Sequence, residues 1–158
     1  LDTNEQQASL SEQAYQNYQL AQQQRQTLYG LLMQAPACIG ITRGPQHRFE
    51  FVNEGLAELV RHTELVGRTT EEAFPELRGQ GILEVLDQVY ATGESYRGRE
   101  LLIRLATGDG RGELRDAYFN ALYQRFEEGG QAAGITIYAY EVTELVETRR
   151  KLDELLGK

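Results

Sequence analysis

The chain has 158 residues, and at roughly 100–200 residues per domain that is one domain with attachments rather than two. Hydrophobic residues make up 41% and charged residues 25%, ordinary proportions that argue against wholesale disorder, a collagen-like chain or a coiled coil alone. A net charge of -8 speaks against a nucleic-acid or anionic-membrane partner, since neither polyanion attracts a net anion. One cysteine cannot form an internal disulfide or a multi-cysteine zinc site, and no apolar run approaches the ~20 residues that cross a bilayer.

Residues 1–34 hold ten glutamines and almost no β-branched residue, Gly or Pro before Gly30, a composition that favours helix. A helix from about Ser9 to Gln34 would run roughly 39 Å, too long to fold back into a small core. Its apolar seam of Ala14, Tyr18, Ala21, Arg25, Leu28 and Leu32 alternates steps of four and three, a coiled-coil spacing weakened by Ala, Tyr and Arg. The bland alternative is a solvated linker. Ala35-Pro36 ends the helix, because a residue before proline is pushed out of the α region. The first twenty residues lack the basic start and apolar centre of a signal peptide. With no initiating methionine and a helical pattern running to Lys158, the chain is expected to be a piece of a longer, cytoplasmic protein.

From Ala37 the period changes. Cys38–Thr42 reads as a strand, Arg43-Gly44-Pro45-Gln46 as a turn and Arg48–Val52 as a second strand, together a β-hairpin. Asn53 is a good N-cap for a short helix carrying Leu56, Leu59 and Val60. A loop-rich stretch follows, with a short helix near Thr70–Phe74 stopped by Pro75. Ile82, Leu83, Leu86, Val89 and Tyr90 restore a helical period that Gly93 closes. Three strands then succeed one another: Tyr96–Leu105, a turn at Gly108-Asp109-Gly110, Glu113–Phe126, a turn at residues 127–130, and Ala132–Val142. Residues 144–158 return to helix, with Val142, Leu145, Arg149, Leu152 and Leu156 in a second coiled-coil-like seam.

Several motifs sit on this frame in order. Asn53 leaves a strand for a short helix; Leu65-Val66-Gly67-Arg68 precedes Phe74-Pro75-Glu76-Leu77; Ala91-Thr92-Gly93-Glu94 precedes a long strand; Glu141-Val142-Thr143-Glu144 joins the last strand to the last helix. Over residues 37–143 this resembles a PAS domain, with wording most similar to bacterial sensor histidine kinases. The resemblance implies an α+β PAS fold, a five-stranded antiparallel sheet with short helices on one face and flanking N- and C-terminal helices. The division expected is residues 1–35 as a cap or dimerisation helix, 36–143 as the PAS domain and 144–158 as the start of a signalling helix. The family's ending normally begins with Asp. Glu141 keeps the charge but moves the carboxylate by a methylene, which argues against a short hydrogen bond across the turn.

Alternation separates the two faces of each strand. Phe119, Ala121 and Tyr123 share one side, as do Ile135, Ile137 and Ala139; by resemblance these face the helices, with Phe51, Leu86, Ile82 and Val89 completing an interior that holds a ligand or is simply filled. The opposite face carries Tyr118, Leu122, Tyr138 and Tyr140, too aromatic for a bare sheet surface. The N-terminal helix, with Tyr15, Tyr18, Leu28 and Tyr29, is the expected cover, in cis or from a second subunit, and a homodimer through these surfaces is expected.

The chemistry such domains host can be tested against residues. Covalent flavin photochemistry needs a cysteine in the helical region, whereas Cys38 lies on the first strand and reads as a small buried hydrophobe. Haem-type sensors use a histidine on the long helix. Residues 79–92 contain none, and His47 and His62 read as surface residues. No His/Cys cluster has metal-ligand spacing, the Gly108–Gly112 stretch precedes a strand rather than a helix, and no nucleophile, base and orienting acid assemble. Arg97, Arg99 and Arg104 read as exposed cross-strand partners. No cofactor is expected; a small apolar ligand remains open.

These readings converge on a sensory module of a histidine kinase in a two-component system, acting on a downstream output domain in the same chain, without contacting nucleic acid or membrane. The alternative is a structural dimerisation module that senses nothing. An isomerase or hydrolase would need a buried carboxylate, and no inward position is Asp or Glu. Transmission is expected through Glu141, Val142 and Thr143, with Thr143 as N-cap of the last helix and Glu144 and Glu147 at its positive end.

Overall fold

The computed structural model describes residues 3–59, 64–107 and 112–157. The expectations for Val60, His62 and the Gly108–Gly110 turn lie outside the described residues. The chain divides into two compact units, Leu1–Gln34 and Ala35–Lys158.

The first unit is one helix, α1 (Thr3–Gln34), which extends about 48 Å and has no buried residue. Short i, i+4 bonds lace it: the side-chain amides of Gln19 and Gln22 donate to the hydroxyls of Tyr15 and Tyr18 at 3.0 and 2.7 Å. No helix of the described residues is long and apolar enough to cross a membrane.

The second unit runs β1 (Cys38–Arg43), β2 (Arg48–Val52), α2 (Glu54–Glu58), α3 (Thr70–Ala73), a 3-10 turn (Pro75–Leu77), α4 (Ile82–Thr92), β3 (Tyr96–Ala106), β4 (Leu114–Glu128), β5 (Gln131–Glu141) and α5 (Thr143–Leu155). The five strands form one antiparallel sheet in the order β2-β1-β5-β4-β3. Three of the helix boundaries have a clear local cause. Asn53 accepts the Leu56 N–H to open α2, and Thr69 forms a reciprocal capping box with Glu72 to open α3. Gly93, at φ 79°, closes α4 in the left-handed conformation that a glycine adopts without strain. Gly134 lies where β5 crosses β1 so closely that a Cβ would stand 2.0 Å from the Thr42 carbonyl.

The core lies between the sheet and its helices in two clusters. One gathers Phe49, Leu56, Phe74, Leu77, Ile103 and Phe119. The other gathers Leu86 and Val89 of α4 over Ala121, Tyr123 and Ile135.

Candidate functional site: an apolar cavity and the strand–helix junction

A cavity of about 80 Å³ lies in the core. Leu86 of α4, Phe119 and Tyr123 of β4, and Ile137 and Ala139 of β5 are on its wall, together with Phe49, Leu56 and Phe74. Its hydroxyl-bearing Thr70 is already committed, donating to the His47 carbonyl at 2.8 Å. Cys38 also lines it, with Sγ 3.6 Å from the Gly55 carbonyl, and burial pushes its thiol up to about 11. Such walls repel ions and offer an incoming molecule little but dispersion. Ala121 and Ile135 point inward but pack in the second cluster beneath α4.

Phe51 is placed otherwise than its alternation with Phe49 suggests. A bulge between Ile41 and Thr42 sets Phe49 opposite Thr42 and Phe51 opposite Ile41, so the extra residue, Glu50, reverses the faces. Phe49 is 3% exposed inside the core, and Phe51 joins Ile41 on the outer face. Alternation carries no sign of the slip.

His47 is not a surface residue. It is 3% exposed at φ 56° in the β1–β2 turn. Its Nε2 lies 2.7 Å from Asp87 Oδ1 and its ring meets Tyr90 edge-on at 6.2 Å. Both partners belong to α4, forty and more residues away, so the burial has no local signature. Nδ1 has no partner among the described residues.

At the sheet's other end, β5 passes into α5. Val142 is the N-cap residue without a side-chain bond, is buried, and donates its N–H to the Tyr118 carbonyl at 2.7 Å. Thr143 is therefore not the N-cap: it is the first helical residue, and its hydroxyl faces the sheet. It accepts the Tyr118 N–H at 3.0 Å and donates to the Glu141 carboxylate at 2.6 Å. Glu141 also takes a two-pronged bond from Arg115 of β4 at 2.9 and 3.1 Å. The extra methylene of glutamate thus does not prevent the hydrogen bond across the turn; it lets one carboxylate reach both Arg115 and Thr143. Arg115 beside it, with help from the Thr143 hydroxyl, holds the Glu141 carboxyl below the usual carboxylate range.

The outer face pairs Leu122 with Tyr138, Asn120 with Tyr140 and Leu102 with Tyr118. Tyr138, Tyr140 and Leu102 are close to half exposed. Tyr18 and Leu28 are exposed on α1. Arg104 pairs across strands with Asp116 at 3.3 Å. Among the described residues no group of three His, Cys, Asp or Glu side chains could hold a metal ion.

Residues 32–147 match the family described as the PAS fold. The chain belongs to that family. Solved structures share the architecture at low identity. An RNA-binding Light-Oxygen-Voltage receptor is 19% identical across 85% of this chain, with a TM-score of 0.63. The VqmA dimer of Vibrio cholerae is 20% identical across 75%, with a TM-score of 0.55. This chain spans only 37% of the first and 52% of the second. A sensory box sensor histidine kinase from Vibrio cholerae is 20% identical, with 80% of this chain and 95% of that one covered and a TM-score of 0.50. Likeness at these identities is likeness of fold.

In this PAS domain the Glu141 junction gives a pH prediction. A carboxyl lowered in the folded state contributes stability above its unfolded pKa, about 4.3, and loses it as pH falls through the folded value. The gap in urea midpoint between the wild type and Glu141→Gln should therefore be full at pH 7 and close progressively below about pH 4.3. A gap that stays constant down to pH 3 would mean that the Arg115 pairing contributes nothing.

Proposed function

We propose that this PAS domain is a sensory module of a bacterial signalling protein, a histidine kinase of a two-component system, working in the cytoplasm as a homodimer. The observation that carries the reading is the junction: Arg115, Tyr118, Glu141 and Thr143 tie two strands of the sheet to the first turn of α5. A shift of β4 against β5 then reaches α5 without passing through a flexible linker. The dimer forms through α1 and the aromatic outer face, and an output domain follows in the same chain. The segment itself has no catalytic role, binds neither flavin nor haem, and with its charge of -8 does not itself contact nucleic acid or membrane.

The signal is a small apolar molecule entering the cavity. A ligand-free dimerisation module is the second reading, favoured by the size of that cavity: 80 Å³ is about half of the ~150 Å³ that accommodates benzene in an engineered protein core. Native mass spectrometry after gentle purification separates the two, since retained ligand mass supports sensing and a bare chain supports the scaffold. Transmission is tested in the intact protein by insertions after Leu156. Seven extra residues restore the heptad phase and four shift it, so output should change with four and stay near wild type with seven. Equal output from both would reduce α5 to a tether.

A further inference from the structure

We propose that residues 75–81 are the door of the core cavity, with Leu77 as its leaf and the side chains of Gln80 and Glu76 as a latch on the free edge of β3. This entry route rests on the reading above that a small apolar molecule enters the cavity.

Leu77 lines the cavity with Phe74, Ile82, Ile103 and Leu105. It is the one buried residue of the stretch; Pro75, Arg78, Gly79 and Gly81 are exposed and Glu76 and Gln80 half-buried. A single side chain thus stands there between the interior and water. Other walls are stitched down. Phe49 exchanges backbone bonds with Gly67 and Arg68 at 2.8 and 2.9 Å, and the Thr70 N–H donates to the His47 carbonyl at 2.9 Å. Arg125 donates to the Tyr90 carbonyl of α4 at 3.1 Å. The backbone bonds of residues 75–81 are local by comparison: Leu77 donates to Phe74 at 3.0 Å, Arg78 to Pro75 at 3.3 Å and Gln80 to Leu77 at 3.1 Å. Among the described residues no backbone hydrogen bond joins this stretch to the sheet.

Side chains make the join instead. β3 is an edge strand, so the N–H and C=O groups on its outer side meet no further strand. Gln80 takes that place at Arg104: its Oε1 accepts the Arg104 N–H and its Nε2 donates to the Arg104 carbonyl, both at 2.8 Å. The same Nε2 donates to the Glu76 carbonyl at 2.7 Å, and the Glu76 carboxylate accepts the Ala106 N–H at 2.8 Å. The bonds to β3 lie at the surface, where water can take over either partner, so each shifts an equilibrium by only about two- to ten-fold. Gln80 also stands between two pivots. Gly79 and Gly81 have φ 80° and 86°, a left-handed setting that glycine reaches without strain, and nothing lies within 4 Å of where either Cβ would be. Hinges of this kind let a short segment swing while its neighbours stay folded.

Cys38 supplies the readout. It is the chain's one cysteine, lines the cavity and is 7% exposed, so methyl methanethiosulfonate, small and uncharged, reaches its sulfur when the interior opens. The labelling rate is measured at one pH and several low urea concentrations for the wild type, Gln80→Ala, Glu76→Ala, Glu76→Gln and the control Gln88→Ala. Gln80→Ala and Glu76→Ala should label about three- to ten-fold faster, with the shallow urea slope of a local opening. Glu76→Gln keeps an oxygen for the Ala106 N–H and should stay near wild type, as should the control. Unchanged labelling in Gln80→Ala, or acceleration that carries the whole urea slope of global unfolding, overturns the door. The ligand reading fails separately. If labelling accelerates as expected while benzene raises the melting temperature of neither the wild type nor Gln80→Ala, the door stands and the sensing of an apolar guest falls.

Discussion

Replacing Asn53 with alanine should cost the PAS domain about 3–5 kcal/mol of folding free energy. Asn53 is fully buried, and its side chain ties two elements and the loop before β1 together. Oδ1 accepts the Ile39 N–H of β1 at 2.9 Å and the Leu56 N–H of α2 at 3.0 Å, and Nδ2 donates to the Ala37 carbonyl at 2.7 Å. Losing the cap alone costs about 0.5–2 kcal/mol. The strand amide and the Ala37 carbonyl left behind in a dry interior cost about 1–3 kcal/mol each, with the total less than the sum because the site relaxes. For a domain whose whole stability is about 5–15 kcal/mol, that is a large fraction. Thermal unfolding followed by circular dichroism should show a midpoint lower by roughly 10–20 °C. Asn53→Asp keeps both accepted bonds but sets an oxygen against the Ala37 carbonyl, so it should fall between wild type and alanine. A loss below about 1 kcal/mol in the alanine variant would mean that water replaces the side chain and that Asn53 is no keystone.

Most of this fold is legible because its signals are local. The strand order of β3, β4 and β5 follows from turn residues and long alternating runs, and alternation alone puts Phe119, Ala121 and Tyr123 inside. The α1 helix needs only its glutamine-rich composition. What the sequence conceals depends on residues far apart in the chain. Phe49 and Phe51 are two apart and look equivalent until the bulge against β1 separates them. Thr143 has every mark of an N-cap, yet the Tyr118 N–H, twenty-five residues earlier, claims its hydroxyl. His47 sits among polar turn residues and is buried only because α4 brings Asp87 and Tyr90 over it. Glu100 lies in a run that reads as one unbroken strand, and only its φ and the register slip against β4 reveal the bulge.

Leu86→Ala should be among the most damaging single changes, and the one that separates a sensing interior from a filled one. Leu86 is 1% exposed and belongs both to the cavity wall and to the cluster beneath α4, so it partitions the interior. Removing three of its carbons deletes contacts and leaves space that close-packed neighbours only partly refill, a loss of about 3–5 kcal/mol. The new space adjoins the existing 80 Å³ and brings the total toward the ~150 Å³ that stays dry and admits benzene. Benzene should therefore raise the melting temperature of the variant, by an amount equivalent to about 2.7 kcal/mol at a hundred times its Kd. A saturated variant should regain much of what it lost. The wild type decides the functional question: a comparable gain in the unaltered protein means that the native cavity already opens to apolar guests, as a sensor's must. A variant that benzene leaves unchanged would show that α4 settles onto the sheet and closes the gap, and the interior would then be a packed core with no room for a signal molecule.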